Sequence, residues 1–264
     1  ADAVALLRSE LSSDSTADRA GPSLDRITVG DRVVLVEVTG PDGATAGVAH
    51  RPDGHPLSTA DLTVERLLRA AASADAAGLL ERALGIATVN ALSAPLVDWR
   101  DGDPMALLDA AVERVATVGL FGPAFRKFGA VDVRVIERRE VSVPETPEGV
   151  TVSLFDTEEA PAAMDGADVV FVTGSTLLYG GTERYLETAR DVGVGDVVLV
   201  GATASFVPGP AFDAGATMLA GGRVTDADGI RGRIRGGECA TDLHDEGLEK
   251  VYVTAGQTTG LEFG

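Results

Sequence analysis

The chain has 264 residues, a formal net charge of −19 and one cysteine, Cys239. A single cysteine excludes an internal disulfide and suits a reducing cytoplasm, the expected location. The charge excludes non-specific nucleic-acid binding, which needs basic patches to neutralise phosphates.

The acid is not a tail. Residues 1–110 carry 17 acidic and 9 basic side chains, and residues 111–264 carry 24 and 13. Lysine occurs only at Lys127 and Lys250, against 20 arginines. Such a surface resembles that of proteins from salt-loving cytoplasms, where salt screens the self-repulsion, and predicts a halophilic protein.

The opening "ADAVALLRSELSSD" has no basic segment followed by a long apolar one. It reads as a short amphipathic helix, with Val4, Leu7 and Leu11 on one face, and not as a secretion signal. No apolar run reaches membrane-spanning length, so no membrane partner is expected. Residues 27–50 read as a β-meander, "RITVG", "DRVVLVEVTG" and "ATAGVAHR", with a turn at Pro41–Gly43. Two helical patterns come next: "ADLTVERLLRAAAS", capped by Ser58 or Thr59, and "GLLERALGIATVNA" from Gly78 to Ala91. Strands first and helices after define an α+β unit over residues 1–98. The polar, turn-prone "PLVDWRDGDP" is the linker, and Asp103 followed by Pro104 predicts a helix start.

From residue 105 the rhythm changes. Short apolar strands are expected at 116–122, 131–137, 168–174, 196–201 and 216–221, with helical segments between most of them. This predicts a parallel sheet covered on both faces, a Rossmann-like α/β domain over residues 99–264. "KVYVTA" near the C-terminus reads as an edge strand.

In such a sheet ligands bind at the carboxyl ends of the strands. There the sequence places "GLFGPAFRKFG", Glu137, "TGST", "GATAS" and "GG" in turn. Glycines let a backbone approach a ligand, and Ser and Thr supply adaptable donors; the same residues also fit tight turns and helix caps. Gly119 and Gly122 are spaced G-x-x-G, not the G-x-G-x-x-G of a dinucleotide fold. Glu137 falls where a ribose-binding acid would stand, but Arg138 and Arg139 follow it. There is no phosphate-loop lysine motif and no G-x-S-x-G nucleophile elbow. His50 and His55 in "HRPDGH", and Glu238, Cys239, Asp242, His244 and Asp245 in "ECATDLHDE", are metal-ligand types without a standard zinc spacing. Asn90 sits in an apolar helical stretch, where an amide needs a partner: a helix-end cap or a group across the domain interface.

The order "VNAL", "GLFGPAF", "VIERR", "ADVVFVTGSTLLYGGT" and "VLVGATASFVPGPAFDAGATMLAGG" resembles a prokaryotic family of unknown function associated with heavy-metal chelation. The resemblance covers residues 115–237 well and the first unit more loosely. It implies an enolase-N-terminal-like α+β domain ahead of a Rossmann-like one, with a site between them. By the resemblance Asn90 faces the cleft from the first domain. From the second, Glu137, Thr173, Gly174, Ser175, Thr176 and Thr182 line it, with Gly201 and Thr203 beside them; Gly122 of the first turn joins the expected ligand-binding set. Two turns depart from the family pattern. Tyr179-Gly180-Gly181-Thr182 stands for Asn-Gly-Thr, and Gly201-Ala202-Thr203 for Gly-Pro-Ser.

The leading expectation is a protein that binds a small anionic or metal-chelating ligand in the interdomain cleft, with a metal or metal chelate as the implied cofactor. The alternatives are a nucleotide- or nicotinamide-dependent enzyme using the same pocket, and a regulatory protein without a catalytic group. Catalytic residues, metal ligands and association into a homo-oligomer stay open at this point.

Overall fold

The computed structural model describes residues 2–13, 21–40, 42–54, 57–73, 78–244, 246–256 and 260–261, with no account of the side chains of 10–13. Pro41, His55, Asp245 and the side chain of Leu11 therefore lie outside the described residues.

Helix α1 (Asp2–Ser13) buries Val4 and Leu7, two of the three residues on the expected apolar face. Strands β1 (Ser23–Val29), β2 (Val33–Gly40) and β3 (Gly43–His50) form an antiparallel sheet in that order, with Val34 opposite both Val29 and Ala49. The meander is as expected, although its first strand begins at Ser23. The apolar run in β2 does not alternate with polar residues because both of its faces are covered. Val34, Val36 and Val38 join the core beneath the helices, while Val33 and Leu35 pack with Ile230, Ile234 and Leu248.

Helix α2 (Val64–Ala72) is capped by Thr63, whose hydroxyl accepts from Arg66 N at 3.2 Å, and not by Ser58 or Thr59. Leu62 before the cap and Leu67 beyond the first turn lie in one core, a hydrophobic-staple spacing that fixes the start there. Helix α3 (Leu79–Ser93) is buried along almost all of its length from Ala83 onward. It lies against β3 at Gly47, where any Cβ would overlap Ala87 O and Ala91 N.

The second sheet begins with β4 (Arg100–Asp101), a two-residue strand inside the expected linker. Asp103 does cap, accepting from Met105 N at 3.1 Å, but it opens a single 3₁₀ turn, Pro104–Ala106, and no α-helix. Then come β5 (Arg114–Val118), β6 (Val131–Glu137), β7 (Val150–Asp156), α4 (Ala160–Met164), β8 (Val169–Thr173), α5 (Thr176–Tyr179), α6 (Thr182–Asp191), β9 (Asp196–Val200), α7 (Gly209–Asp213), β10 (Met218–Val224), α8 (Ala227–Arg235) and β11 (Leu248–Thr254). The sheet order is β4-β11-β10-β9-β8-β5-β6-β7. The six strands from β10 to β7 are parallel; β11 pairs antiparallel with β10 and β4 antiparallel with β11, so the expected edge strand at "KVYVTA" is itself covered by β4 at Val251 and Tyr252.

Three strand expectations need correction. β5 stops at Val118 because Gly119 turns away at φ +101°. β7 has no counterpart among the expected strands, although its "VTVSLF" alternates apolar and polar residues; as the far edge strand it fully buries only Val150. β10 runs through Gly221 and Gly222, so this pair is inside a strand and not in a strand-end turn. A side chain at Gly221 would overlap Ser205 Oγ.

Alternation along β8 divides two cores. Val170 and Val172 face the helices of the first unit, and Val169 and Phe171 face Phe125 and Phe128. One core thus runs from β2 through α3 to β8 and β9. A second tie is the two-pronged ion pair of Glu37 on β2 with Arg231 on α8, at 2.6 and 3.1 Å.

Candidate functional site at the switch point of the second sheet

Counting the parallel strands in chain order from β5, the sheet reads 3-2-1-4-5-6. The chain starts in the middle at β5, winds outward to β7, and crosses back to β8. The loops after β5 and β8 therefore diverge and leave a crevice between them at the carboxyl edge. The side chain of Thr173 at the end of β8 closes on Gly119 at the end of β5.

The hydroxyls around that crevice bond mostly to one another. Thr173 Oγ1 and Ser175 Oγ are 3.2 Å apart, Thr176 Oγ1 donates to Thr173 O at 2.8 Å, and Thr182 Oγ1 donates to Thr176 Oγ1 at 2.8 Å. Gly174 packs against Ala204 and Thr203, and Gly201, with φ +122°, approaches Gly174 N. Glu137 Oε1 accepts from Leu120 N at 2.8 Å, so this carboxylate holds the loop after β5. Gly122 is not part of this cluster; it lies against Pro144.

Asn90 reaches across the two units. Its Nδ2 donates to Val48 O at 2.9 Å, Thr203 O at 3.1 Å and Ala202 O at 3.3 Å. Among the described residues its buried Oδ1 has no donor. Beside it His50 N donates to Thr203 Oγ1 at 3.0 Å, and Val207 N donates to Ser93 Oγ at 3.0 Å. The structure brings together Asn90, Thr203, Gly201 and Gly174 on one side, and Thr173, Ser175, Thr176 and Thr182 on the other.

Sequence reasoning missed the group that spans the crevice. Tyr179 at the end of α5 places its hydroxyl 3.2 Å from His50 Nε2, and the two rings lie 5.9 Å apart. The Arg138 guanidinium sits 4.6 Å above the Tyr179 ring, a cation–π contact. Arg138 follows strand 2 of the sheet, Tyr179 follows strand 4, and His50 ends β3 of the first unit. The three meet at Tyr179, which touches both of the others. Gly180 and Gly181, at φ +88° and +96°, turn the chain back into α6 directly after Tyr179; two successive positive φ values demand glycine. The sequence had offered His50 as a metal-ligand type, Arg138 beside Glu137 and a departure from the family pattern at Tyr179, but nothing that joined the three.

Packing around the ring lowers the pKa of His50 from 6.5, opposed by the charge of Asp53. Burial raises that of Tyr179 from 10.0, helped by Asp53 and opposed by Arg138 and Arg139. Near neutrality the pair is an uncharged imidazole and phenol beside a fixed guanidinium charge. Among the described residues neither the Arg138 nor the Arg139 side chain has a carboxylate within 4.0 Å. Arg138 and Arg139 thus bring two guanidinium groups to this edge, facing the carboxylate of Asp53, whose charge also reaches His50 and Tyr179.

No group of three or more His, Cys, Asp or Glu side chains able to hold a metal ion occurs among the described residues. Cys239 Sγ donates to Asp242 Oδ2 at 3.0 Å, and His244 Nδ1 donates to Leu248 O at 2.9 Å. The described residues do not fit a bare metal ion held by protein ligands alone.

These features define a mixed α/β protein with a Rossmann-type parallel sheet and a smaller antiparallel sheet ahead of it. The chain belongs to the family whose model is described as "Putative heavy-metal chelation" and matches residues 103–253; a second model of the same description matches residues 14–93. An uncharacterised protein of Methanocaldococcus jannaschii is 28% identical over 162 residues, which cover 59% of this chain and 59% of that protein. The chain thus spans less than two thirds of that curated relative. A family member of unknown function from Pyrococcus horikoshii aligns at a TM-score of 0.74 and 19% identity, covering 96% of this chain and 100% of the other. Another from Desulfitobacterium hafniense aligns at 0.67 and 17%, covering 95% and 98%. Both likenesses establish the fold. The family resemblance read from the sequence and the α/β class are as expected. No helix among the described residues is long and apolar enough to cross a membrane.

Proposed function

We propose that the protein binds a small anionic ligand, an anionic metal chelate included, in the crevice between the two units at the switch point. The observation that carries this reading is the convergence of Arg138, Tyr179 and His50 from three separate segments. The guanidinium supplies fixed positive charge, and the phenol beneath it and the imidazole beyond the phenol supply neutral hydrogen-bond groups. A chelate fits this set better than a free cation, because the chelator completes the metal's coordination and presents carboxylate or phosphate oxygens outward. Thr173, Ser175, Thr176 and Thr182 act on this reading as positioning residues. Their mutual bonds hold the turn from which Tyr179 projects.

A nucleotide-dependent enzyme is the second reading, favoured by the 3-2-1-4-5-6 strand order. Two features weigh against it. The loop after β5 runs into a 3₁₀ segment, Gly122–Lys127, and not into an α-helix whose N-terminus would face a pyrophosphate. Glu137, the expected ribose ligand, is already engaged by Leu120 N.

The test is calorimetric titration with citrate, iron(III) citrate, pyrophosphate, NAD and free nickel(II). Citrate or its iron complex is expected to bind, and Arg138→Ala to weaken that binding about tenfold or more through loss of a charge-assisted contact. Affinity unchanged in Arg138→Ala, or saturable binding of free nickel with none of the anions, would overturn the proposal. Binding of NAD alone would favour the second reading.

A further inference from the structure

A second cavity lies on the helical side of the same junction. It has a volume of about 570 Å³ and is bounded by α1, α2 and α3 of the first unit and by α5, α6 and α7 of the second. Its wall is mostly apolar, including Val4, Ile86, Leu177, Leu186, Phe206 and Ala211. That volume is in the range of small-molecule pockets.

Arg82 lines this cavity. Its Nε is buried and has no hydrogen-bond partner, and among the described residues the side chain has no carboxylate within 4.0 Å. A buried donor without an acceptor costs stability unless something else meets it. In a chain with 41 acidic side chains, an arginine left unpaired beside an apolar cavity is poorly explained by packing. Thr176 and Thr182 also line the cavity, together with Asp2, Glu183 and Arg184, and the first turn of α6 there has no side-chain cap.

We propose that this cavity is a binding site for an amphipathic monoanion: an apolar body of medium-chain fatty-acid or aryl-carboxylate type with its acid group on Arg82. The apolar wall takes the body, and the Nε–H supplies the missing partner for the head. The site is separate from the Arg138–Tyr179–His50 crevice, although the two share the turn at Gly180–Thr182. α1 contributes Val4 to the cavity, and its Arg8 is tied to Glu65 of α2 at 2.7 Å, so the helix forms its outer wall. Occupancy would therefore stabilise the docking of α1.

The experiment uses the full chain and octanoate as probe, with octan-1-ol and acetate as body-only and head-only controls. Calorimetry and thermal melts are read together. Octanoate is expected to bind and raise the melting temperature, octan-1-ol to bind more weakly, and acetate to have no effect. Arg82→Gln should weaken octanoate about tenfold or more while leaving octan-1-ol unchanged. Ala214→Phe, which fills the cavity from the end of α7, should abolish both. Arg138→Ala should leave octanoate binding intact, which separates this site from the crevice. Octanoate that fails to bind, that binds equally to wild type and Arg82→Gln, or that is lost in Arg138→Ala would each overturn the proposal. If Ala214→Phe fails to fold, the Arg82→Gln comparison decides.

Discussion

Replacing Asn90 separates a structural amide from a ligand-binding one. The amide gives two hydrogens to three backbone carbonyls, one in β3 and two in the loop after β9, at a position only 2% exposed. Asn90→Ala leaves those buried oxygens without their donor. Each net hydrogen bond contributes about 0.5–1.5 kcal/mol, and a stranded buried group costs about 1–3 kcal/mol. The loss expected is therefore about 2–4 kcal/mol. Asn90→Asp keeps the shape but offers no N–H, and its carboxylate would face three carbonyl oxygens. It is expected to be worse than alanine at pH 7. The introduced carboxyl would have a folded-state pKa above its ordinary value of about 3.9. The stability of that variant is then greatest below about pH 4 and falls as pH rises through the folded-state value. Urea unfolding at pH 7 and at pH 4 measures both effects. A loss below about 0.5 kcal/mol in Asn90→Ala, with ligand binding gone, would refute the structural assignment and make Asn90 a ligand residue. An Asn90→Asp variant as stable as wild type at pH 7 would refute it as well.

Four further outcomes are expected. Melting temperature should rise with KCl as the Debye length shrinks from about 10 Å at 0.1 M to about 3 Å at 1 M, a flat curve removing the proposed halophilic character. Asp103 takes both lysines of the chain on one oxygen, Lys250 at 2.6 Å and Lys127. Burial works to raise its pKa, but the two lysines outweigh burial and hold it below the ordinary 3.8. The stability it contributes is present above pH 3.8 and is lost as pH falls through the lower folded-state value, and Asp103→Asn should flatten that part of the acid unfolding curve. Thr176→Val breaks the relay from Thr182 to Thr173 O and should cost about 1 kcal/mol in thermal melts. We propose the boundary between the units at residues 98/99, so limited proteolysis should nick between Val97 and Trp99, ahead of β4, and a first cut within 165–201 would place it elsewhere.

Much of the fold was legible because burial writes itself into side-chain pattern. β8 and β9 are central strands covered on both faces, and "DVVFVT" and "DVVLV" say so without help. The 3-2-1-4-5-6 order was not legible, because no residue in β5 encodes which neighbours it takes. β4 was hidden because a two-residue, exposed edge strand has no pattern to read, whereas β7 was overlooked although "VTVSLF" alternates as a half-buried strand does. The helix start failed differently. Three candidates, Ser58, Thr59 and Thr63, have capping chemistry, and the choice fell to where Leu62 and Leu67 could both reach the core. Glycines and hydroxyls at strand ends drew attention to the edge where we propose the site, but most of those hydroxyls bond one another and shape turns. The groups that meet across the proposed site are Arg138, Tyr179 and His50. Each had been read separately: Arg138 as a charge after Glu137, Tyr179 as a departure from the family pattern, and His50 as a metal-ligand type paired with His55. Their significance lies in convergence across sequence separations of 41, 88 and 129 residues, and local pattern carries no information about such distances. The segments that carry the family resemblance, "VIERR" and "ADVVFVTGSTLLYGGT", do contain Arg138 and Tyr179, but nothing in them says that the two side chains meet. Asn90, read as a helix-end cap or as a group reaching across the interface, spends its amide hydrogens on carbonyls of both units, and among the described residues only its unmet Oδ1 is left to accept from anything else.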